Sequence, residues 1–141
     1  MRLAVDTNRI IAALVKDSAS RKILLSDKFD FLTIEITKQE IEEHRQELLD
    51  KTRLTDEQLN LALSLLFSRI FVVSDIVVES KMDQAKEIMD ALDPDDTPFV
   101  ALALAVENDG IWSDDKHFRQ QNRIRIWETK DLLTLIRNGL A

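Results

Sequence analysis

Apolar and polar positions repeat along this chain with a period that switches several times, and each switch marks an element. Residues 2–5 are a short apolar run closed by Asp6, which predicts a strand; Thr7 and Asn8 make a turn, and 9–15 continue as a helix. Phe29, Asp30, Phe31 and Leu32 predict a second strand. Thr33 is then expected to cap a helix reaching about residue 50, with Ile34, Ile41 and Leu48 on one face. Residues 55–70 are strongly helical in pattern: Thr55 stands at the cap, Asp56 and Glu57 in the first turn, and Leu59, Leu63, Leu66 and Ile70 form an apolar stripe. A buried strand is expected at 71–73, and a helix at 80–92 with Ala85, Ile88, Met89 and Leu92 at helical spacing. After a turn at 93–96, Thr97-Pro98 opens a helix whose run from 99 to 106 is apolar almost all round and should be buried. Asp109-Gly110 makes another turn. Ile111-Trp112 reads as a short strand ended by Ser113-Asp114-Asp115, residues 124–127 as an alternating strand, and the chain from Lys130 as a terminal helix.

Strands alternating with helices predict an α/β protein, a three-layer α/β/α sandwich around a mainly parallel central sheet, with 1–141 as one domain. Ligands in such folds gather beyond the carboxyl ends of the strands.

Composition narrows the chemistry. The absence of Cys excludes disulfides, thiolate metal sites and cysteine nucleophiles, and fits a reducing compartment. The longest apolar runs, 10–15 and 99–106, fall well short of the ~20 residues needed to span a bilayer, and Asp6 interrupts any signal-like start, so a cytoplasmic location is expected. A net charge of −7 repels a phosphate backbone at long range, which argues against a protein that simply coats nucleic acid. It does not argue against a metal-dependent nuclease, whose site is itself a concentration of carboxylates that cations reverse in sign.

Three of those carboxylates end or adjoin predicted strands. Asp6 closes the first, Asp115 follows the strand at 111–112, and Asp96 sits just before the buried helix; all three can point at one rim. Brought together, they would raise one another's pKa unless something positive lay between them. Hard divalent cations such as Mg²⁺ or Mn²⁺ take oxygen ligands, and this chain has only two His. Taken singly, Asp6 is equally a helix cap, Asp96 a turn or capping residue, and Asp114 or Asp115 a loop charge; the case rests on the set.

The set resembles a known family. Leu3-Ala4-Val5-Asp6-Thr7-Asn8 is similar to the first motif of PIN-domain nucleases, Asp93-Pro94-Asp95-Asp96-Thr97-Pro98-Phe99-Val100-Ala101-Leu102-Ala103 to their third, and Ile111-Trp112-Ser113-Asp114-Asp115-Lys116-His117-Phe118 to their fourth, in the same order and spacing. The resemblance implies catalytic metal ligands at Asp6, Asp96 and Asp115, with Asn8 and Ser113 orienting them. It also implies an acidic ligand on the helix after the second strand. Glu40 fits the family spacing best; Glu43 competes, since both lie on one helix face with Ile36 and Glu47. Asp114, beside Asp115 where the family often has a neutral residue, is expected as an additional metal or water-binding carboxylate. His117 reads as structural or surface-exposed rather than as a general base, and Trp112 and Trp127 as core or interface residues before base-stacking platforms.

What the resemblance implies for function is an endoribonuclease that hydrolyses RNA phosphodiesters with a Mg²⁺- or Mn²⁺-activated water. Lys116, Arg119 and Arg123, and Arg9 and Lys16 on the first helix, would contact flanking phosphates or serve as ordinary surface charges. Many small members are the toxin of a VapBC-type toxin–antitoxin pair, so a homodimer and a small antitoxin protein are the expected partners, with the Leu-rich helix at 55–70 as an association surface or plain core. The alternatives are an RNA-processing nuclease without an antitoxin and a non-catalytic PIN-like binding module. An aspartyl-nucleophile phosphotransferase is disfavoured, because it would want a second Asp two residues after Asp6, where Asn8 stands. A signalling receiver domain would want a pair of acidic residues near the first strand and an isolated phosphoacceptor on a central one, for which the pattern offers no place.

Overall fold

The computed structural model describes residues 1–15 and 18–139; Lys16 lies outside them. The elements run β1 (Arg2–Val5), α1 (Thr7–Val15), α2 (Ser18–Leu24), β2 (Asp30–Ile34), α3 (Glu35–Glu43), α4 (Arg45–Thr52), α5 (Asp56–Phe67), β3 (Ile70–Val73), α6 (Asp75–Glu79), α7 (Met82–Met89), a 3-10 turn (Pro94–Asp96), α8 (Thr97–Ala105), β4 (Ile111–Trp112), a second 3-10 turn (Phe118–Gln120), β5 (Ile126–Trp127) and α9 (Thr129–Arg137). The five strands form one sheet in the order β3-β2-β1-β4-β5, and every pairing is parallel. The expected sandwich is therefore present, with a sheet that is parallel throughout.

Strand β1 holds the centre because it is apolar on both faces. Leu3 and Val5 pack into a core with Ile10, Phe31, Leu59, Trp112 and Leu132. Ala4, between them, faces the opposite layer with Leu32, Ile34, Met89, Val100 and Leu102. Alternation by two along the strand thus separates two cores, one under α1, α5 and α9 and the other under α7 and α8. Of the apolar run 99–106, expected to be buried throughout, 99–102 are buried and 103–106 half-buried.

The chain winds outward from β1 to β2 and β3, then returns to place β4 on the other side of β1. The strand order reverses between β1 and β4, and the crevice at such a reversal is where open parallel sheets bind ligands. Val5 pairs with Trp112 across it, so the next residues on each strand, Asp6 and Ser113, emerge side by side.

The structure corrects four local expectations. Thr33 is not a helix cap: this β-branched residue continues β2 in register with Val72 and buries its hydroxyl by donating to the Val5 carbonyl at 3.0 Å. The helix expected to run to about residue 50 bends at His44 into α3 and α4. Ile70 belongs to β3 rather than to the helix capped by Thr55, whose capping box with Gln58 is formed. The short helices α2 and α6 span too few residues to show a period of their own.

Gly110 introduces β4 with φ +132°, a conformation open to glycine alone, and a Cβ there would meet the Arg125 carbonyl oxygen at 2.5 Å and the Trp127 ring at 2.9 Å. Gly110→Ala is therefore expected to lower unfolding stability by at least about 2 kcal/mol, from backbone strain and overpacking together. Urea denaturation would check it, and an unchanged midpoint would show that this turn relaxes freely.

Candidate metal centre

The site is assembled where β1 and β4 end. Asp6 is 4 % exposed, and its two oxygens have different duties. Oδ1 accepts from the Arg9 backbone N–H at 3.0 Å and so caps the first turn of α1. Oδ2 accepts a short hydrogen bond from the fully buried Ser113 hydroxyl. One carboxylate thus caps α1 with one oxygen and meets β4 with the other.

Ser113 also accepts from the Asp115 backbone N–H at 3.0 Å. One hydroxyl thereby fixes Asp6 on one side and the chain carrying Asp115 on the other. Asp115 is fixed again by the next turn, where its Oδ1 accepts from the His117 N–H at 2.9 Å.

Asp96 reaches the same place from the opposite layer. It precedes α8 but makes no capping hydrogen bond; instead its Oδ2 is buried without any hydrogen-bond partner. Thr97, next to it, is anchored by donating to Asp90 at 2.7 Å, which ties the start of α8 to the end of α7. Burial, and then the negative charges of Asp115, Asp93 and Asp6, push the Asp96 carboxyl up to about 8. Asp6 is pushed up to about 6, chiefly by burial, against the opposing pull of the Ser113 hydroxyl and the Arg9 N–H. Burial first, and neighbouring negative charge after it, thus hold both Asp6 and Asp96 above the usual carboxylate range.

Glu40 approaches along a line of threonines. The Thr33 and Thr37 hydroxyls lie 3.1 Å apart, Thr37 and Thr7 3.0 Å apart, and Thr7 donates to Glu40 Oε1 at 3.2 Å. Its carboxyl is raised by burial and by the charges of Asp95 and Glu43. Glu43, the competing residue, is exposed and accepts from Gln39 at 3.3 Å on the outer face of the helix.

Asp114 is placed elsewhere. Its Oδ1 accepts from the Thr129 N–H at 2.7 Å and its Oδ2 from the Thr129 hydroxyl at 2.6 Å, and Arg9 pairs with Oδ2 at 2.9 Å. Asp114, expected as an extra metal or water ligand, thus has both oxygens engaged by the first residue of α9 and by Arg9 of α1. Asn8 is exposed, in a surface cleft with Glu40 and His44, and among the described residues no hydrogen bond joins it to the acidic cluster. The ion pair with Asp114 also turns the Arg9 guanidinium inward, away from a role as a free phosphate contact. Arg119 donates to Glu128 at 3.1 Å, whereas Lys116 and Arg123 are exposed with no acidic partner among the described residues.

Two residues join the cluster unforeseen. Asp93, Asp96, Asp115 and His117 each present a donor atom within 4.8 Å of the others. Asp93 arrives because the 3-10 turn Pro94–Asp96, which its Oδ1 caps through the Asp95 N–H at 3.0 Å, carries the chain back on itself in three residues. His117 arrives through the tight turn that follows Asp115. The Asp at 93, a Pro and an i,i+3 partner at 96 were the available signal for the first of these.

The donor set suits a hard divalent cation: carboxylates dominate, Asp96 among them is raised by burial and by its acidic neighbours, and one buried Asp96 oxygen lacks a donor among the described residues. The parallel α/β sandwich with acidic side chains gathered near its switch point is a class of fold in which such a cluster could hold a metal ion. Within that class the PIN-domain family profile matches residues 4–136, so the chain belongs to the PIN-domain family, whose members are generally nucleases. No curated protein matches the chain. No helix among the described residues is long and apolar enough to cross a membrane.

Proposed function

We propose that this protein is a divalent-metal-dependent endoribonuclease, with Asp6, Glu40, Asp96 and Asp115 as its catalytic acidic residues. The observation that carries the reading is the convergence of Asp6, Asp96 and Asp115 from β1, α8 and the end of β4, with one Asp96 oxygen buried and without a donor.

Asp96 and Asp115 would hold Mg²⁺ or Mn²⁺ together, with Asp6 behind them. When bound, such a cation lowers the pKa of a water and stabilises charge developing on the scissile phosphate. The protein's own contribution is to keep the carboxylates in place. Ser113 and the Arg9 N–H hold Asp6, and Ser113 and the His117 N–H hold Asp115, so little rearrangement stands between the resting site and the working one. Glu40 lies outside the group of Asp93, Asp96, Asp115 and His117 but is held by Thr7, the neighbour of Asp6 in the chain, and in this reading it would accept a proton from an attacking water. Lys116, exposed, next to Asp115 in the chain and without an acidic partner among the described residues, would meet a phosphate flanking the cleavage point, whereas Arg123 lies with Asp109 and Gly110 at the opposite end of β4.

For biological context we favour the toxin of a VapBC-type pair, which the motif resemblance supports. Leu61 and Leu65 on α5 are 71 % and 57 % exposed, an apolar face that a second copy or a small antitoxin would cover. Incubation of the purified protein with a panel of structured and single-stranded RNAs tests the activity. Cleavage is expected with Mg²⁺ or Mn²⁺, none with EDTA, and a loss of at least about a hundredfold in Asp6→Asn. Cleavage that persists in EDTA would remove the metal-dependent reading.

A further inference from the structure

The four acidic residues proposed above do not account for the ring at the centre of the cluster. His117 Nδ1 lies 3.0 Å from Asp115 Oδ1 and 3.5 Å from Asp93 Oδ2, and it is buried without a hydrogen-bond partner. At 3.0 Å from a carboxylate oxygen, an aligned N–H would form a strong charge-assisted bond; here the approach is out of line. An unprotonated Nδ1 would instead turn its lone pair on two carboxylates, which is repulsive unless a cation lies between. The rest of the side chain is open, at 37 % exposed, so Nε2 can carry the proton toward water while Nδ1 faces inward.

The spacings match ligands around one ion. With metal–ligand distances of about 2.1 Å, neighbouring octahedral ligands lie about 3.0 Å apart and opposite ones about 4.2 Å. The 3.0 Å and 3.5 Å separations at His117 fall close to the neighbour distance, and the whole group, within 4.8 Å, needs to contract by only a few tenths of an ångström to close around an ion. The local chain also builds this arrangement. The His117 N–H binds the same Asp115 oxygen that its ring approaches, and Asp93 uses Oδ1 to cap its turn, leaving Oδ2 for the cluster.

We propose that His117, with Asp93 beside it, completes the cation site as an imidazole ligand, so that the site prefers Mn²⁺ to Mg²⁺. This inference rests on the reading of the cluster as a metal centre and adds to it a nitrogen donor. Imidazole is a borderline ligand that suits transition metals, whereas Mg²⁺ holds to oxygen and gives up its waters reluctantly.

Mn²⁺ alone, added to the intact protein, is the probe. Pulsed electron paramagnetic resonance of the Mn²⁺-loaded protein is expected to show echo modulation from a directly bound ¹⁴N. The sequence has only two His, so the source can be assigned: His117→Gln should lose the modulation and His44→Gln should keep it. Calorimetric titration should show Mn²⁺ affinity falling by about tenfold or more in His117→Gln, with Mg²⁺ affinity changing by less than about threefold. Mn²⁺ bound without nitrogen modulation, or modulation surviving in His117→Gln, would overturn the ligand assignment and leave the nuclease reading standing. Failure of the wild-type protein to bind Mn²⁺ at all would overturn both.

Discussion

Asp96→Asn is expected to abolish RNA cleavage and, at the same time, to make the metal-free protein more stable. Both effects have one cause. Asp96 lies among Asp115, Asp93 and Asp6 with a buried oxygen that no donor reaches, and its carboxyl is pushed up to about 8. At neutral pH the metal-free fold must therefore keep a proton on a group that would ionise freely in the unfolded chain. Asparagine removes that requirement, and its amide can donate to Asp115 as the protonated carboxyl does. A tenfold change in proton affinity corresponds to about 1.4 kcal/mol; discounted for the solvent that reaches a partly exposed side chain, a gain of about 1–3 kcal/mol is expected. Cleavage should fall by at least about a hundredfold, because the amide is a far poorer ligand for a hard cation. Thermal melting in EDTA and an RNA cleavage assay check the two halves. A variant that is inactive but less stable than the parent would show that Asp96 is structural.

The second large effect is on pH. Asp6 and Asp96 have raised carboxyl pKa values, about 6 and about 8, and Glu40 is raised as well. Below about pH 4 both folded and unfolded chains hold these protons, so the raised values cost nothing there. As pH rises from that point, the unfolded chain releases its protons first and the folded chain retains them, so the metal-free protein loses stability until pH passes the folded values, about 6 and about 8. A divalent cation binds the ionised carboxylates, so its stabilising effect should grow over the same interval. Melting in EDTA is expected to be lower by about 5 °C or more at about pH 8 than at about pH 5, with added Mg²⁺ recovering the difference chiefly at the higher pH. A metal-free melting temperature that rises over that interval would contradict the sign.

Much of this architecture could be read from the sequence because the physics that sets it is local. The short apolar run closed by Asp6, the Thr55 cap with its acidic first turn, and the all-round apolarity of 99–106 each specify an element without reference to the rest of the chain. Asp6 and Asp115 were visible because they follow apolar runs that can only be strands, and strand ends in a parallel sheet share one edge. Thr33 shows where such reading fails. Its preference for a helix cap was outweighed by a place beside Val72 and a hydroxyl bond to Val5, neither of which a linear pattern contains.

The site was legible in the same unequal way. Asp96 could be placed near the rim, but only the folded chain reveals that its carboxylate leaves the cap empty and turns inward. Asp114 and Asp115 are indistinguishable as adjacent letters; in the fold Thr129, 15 residues on, and Arg9 engage both oxygens of Asp114, while Asp115 joins Asp93, Asp96 and His117. His117 and Asp93 depend on two tight turns, whose path decides whether a side chain faces solvent or the cluster. That choice turns on a few backbone hydrogen bonds rather than on hydrophobic period.

The most direct measurement is anomalous X-ray scattering at the manganese edge from crystals of this protein grown with Mn²⁺. The account predicts a peak within coordination distance of Asp96 and Asp115, close to His117 and on the Asp6 side of the switch-point crevice. Well-ordered crystals with the cleft clear of lattice contacts and no anomalous density there, or density only at other carboxylates, would contradict it.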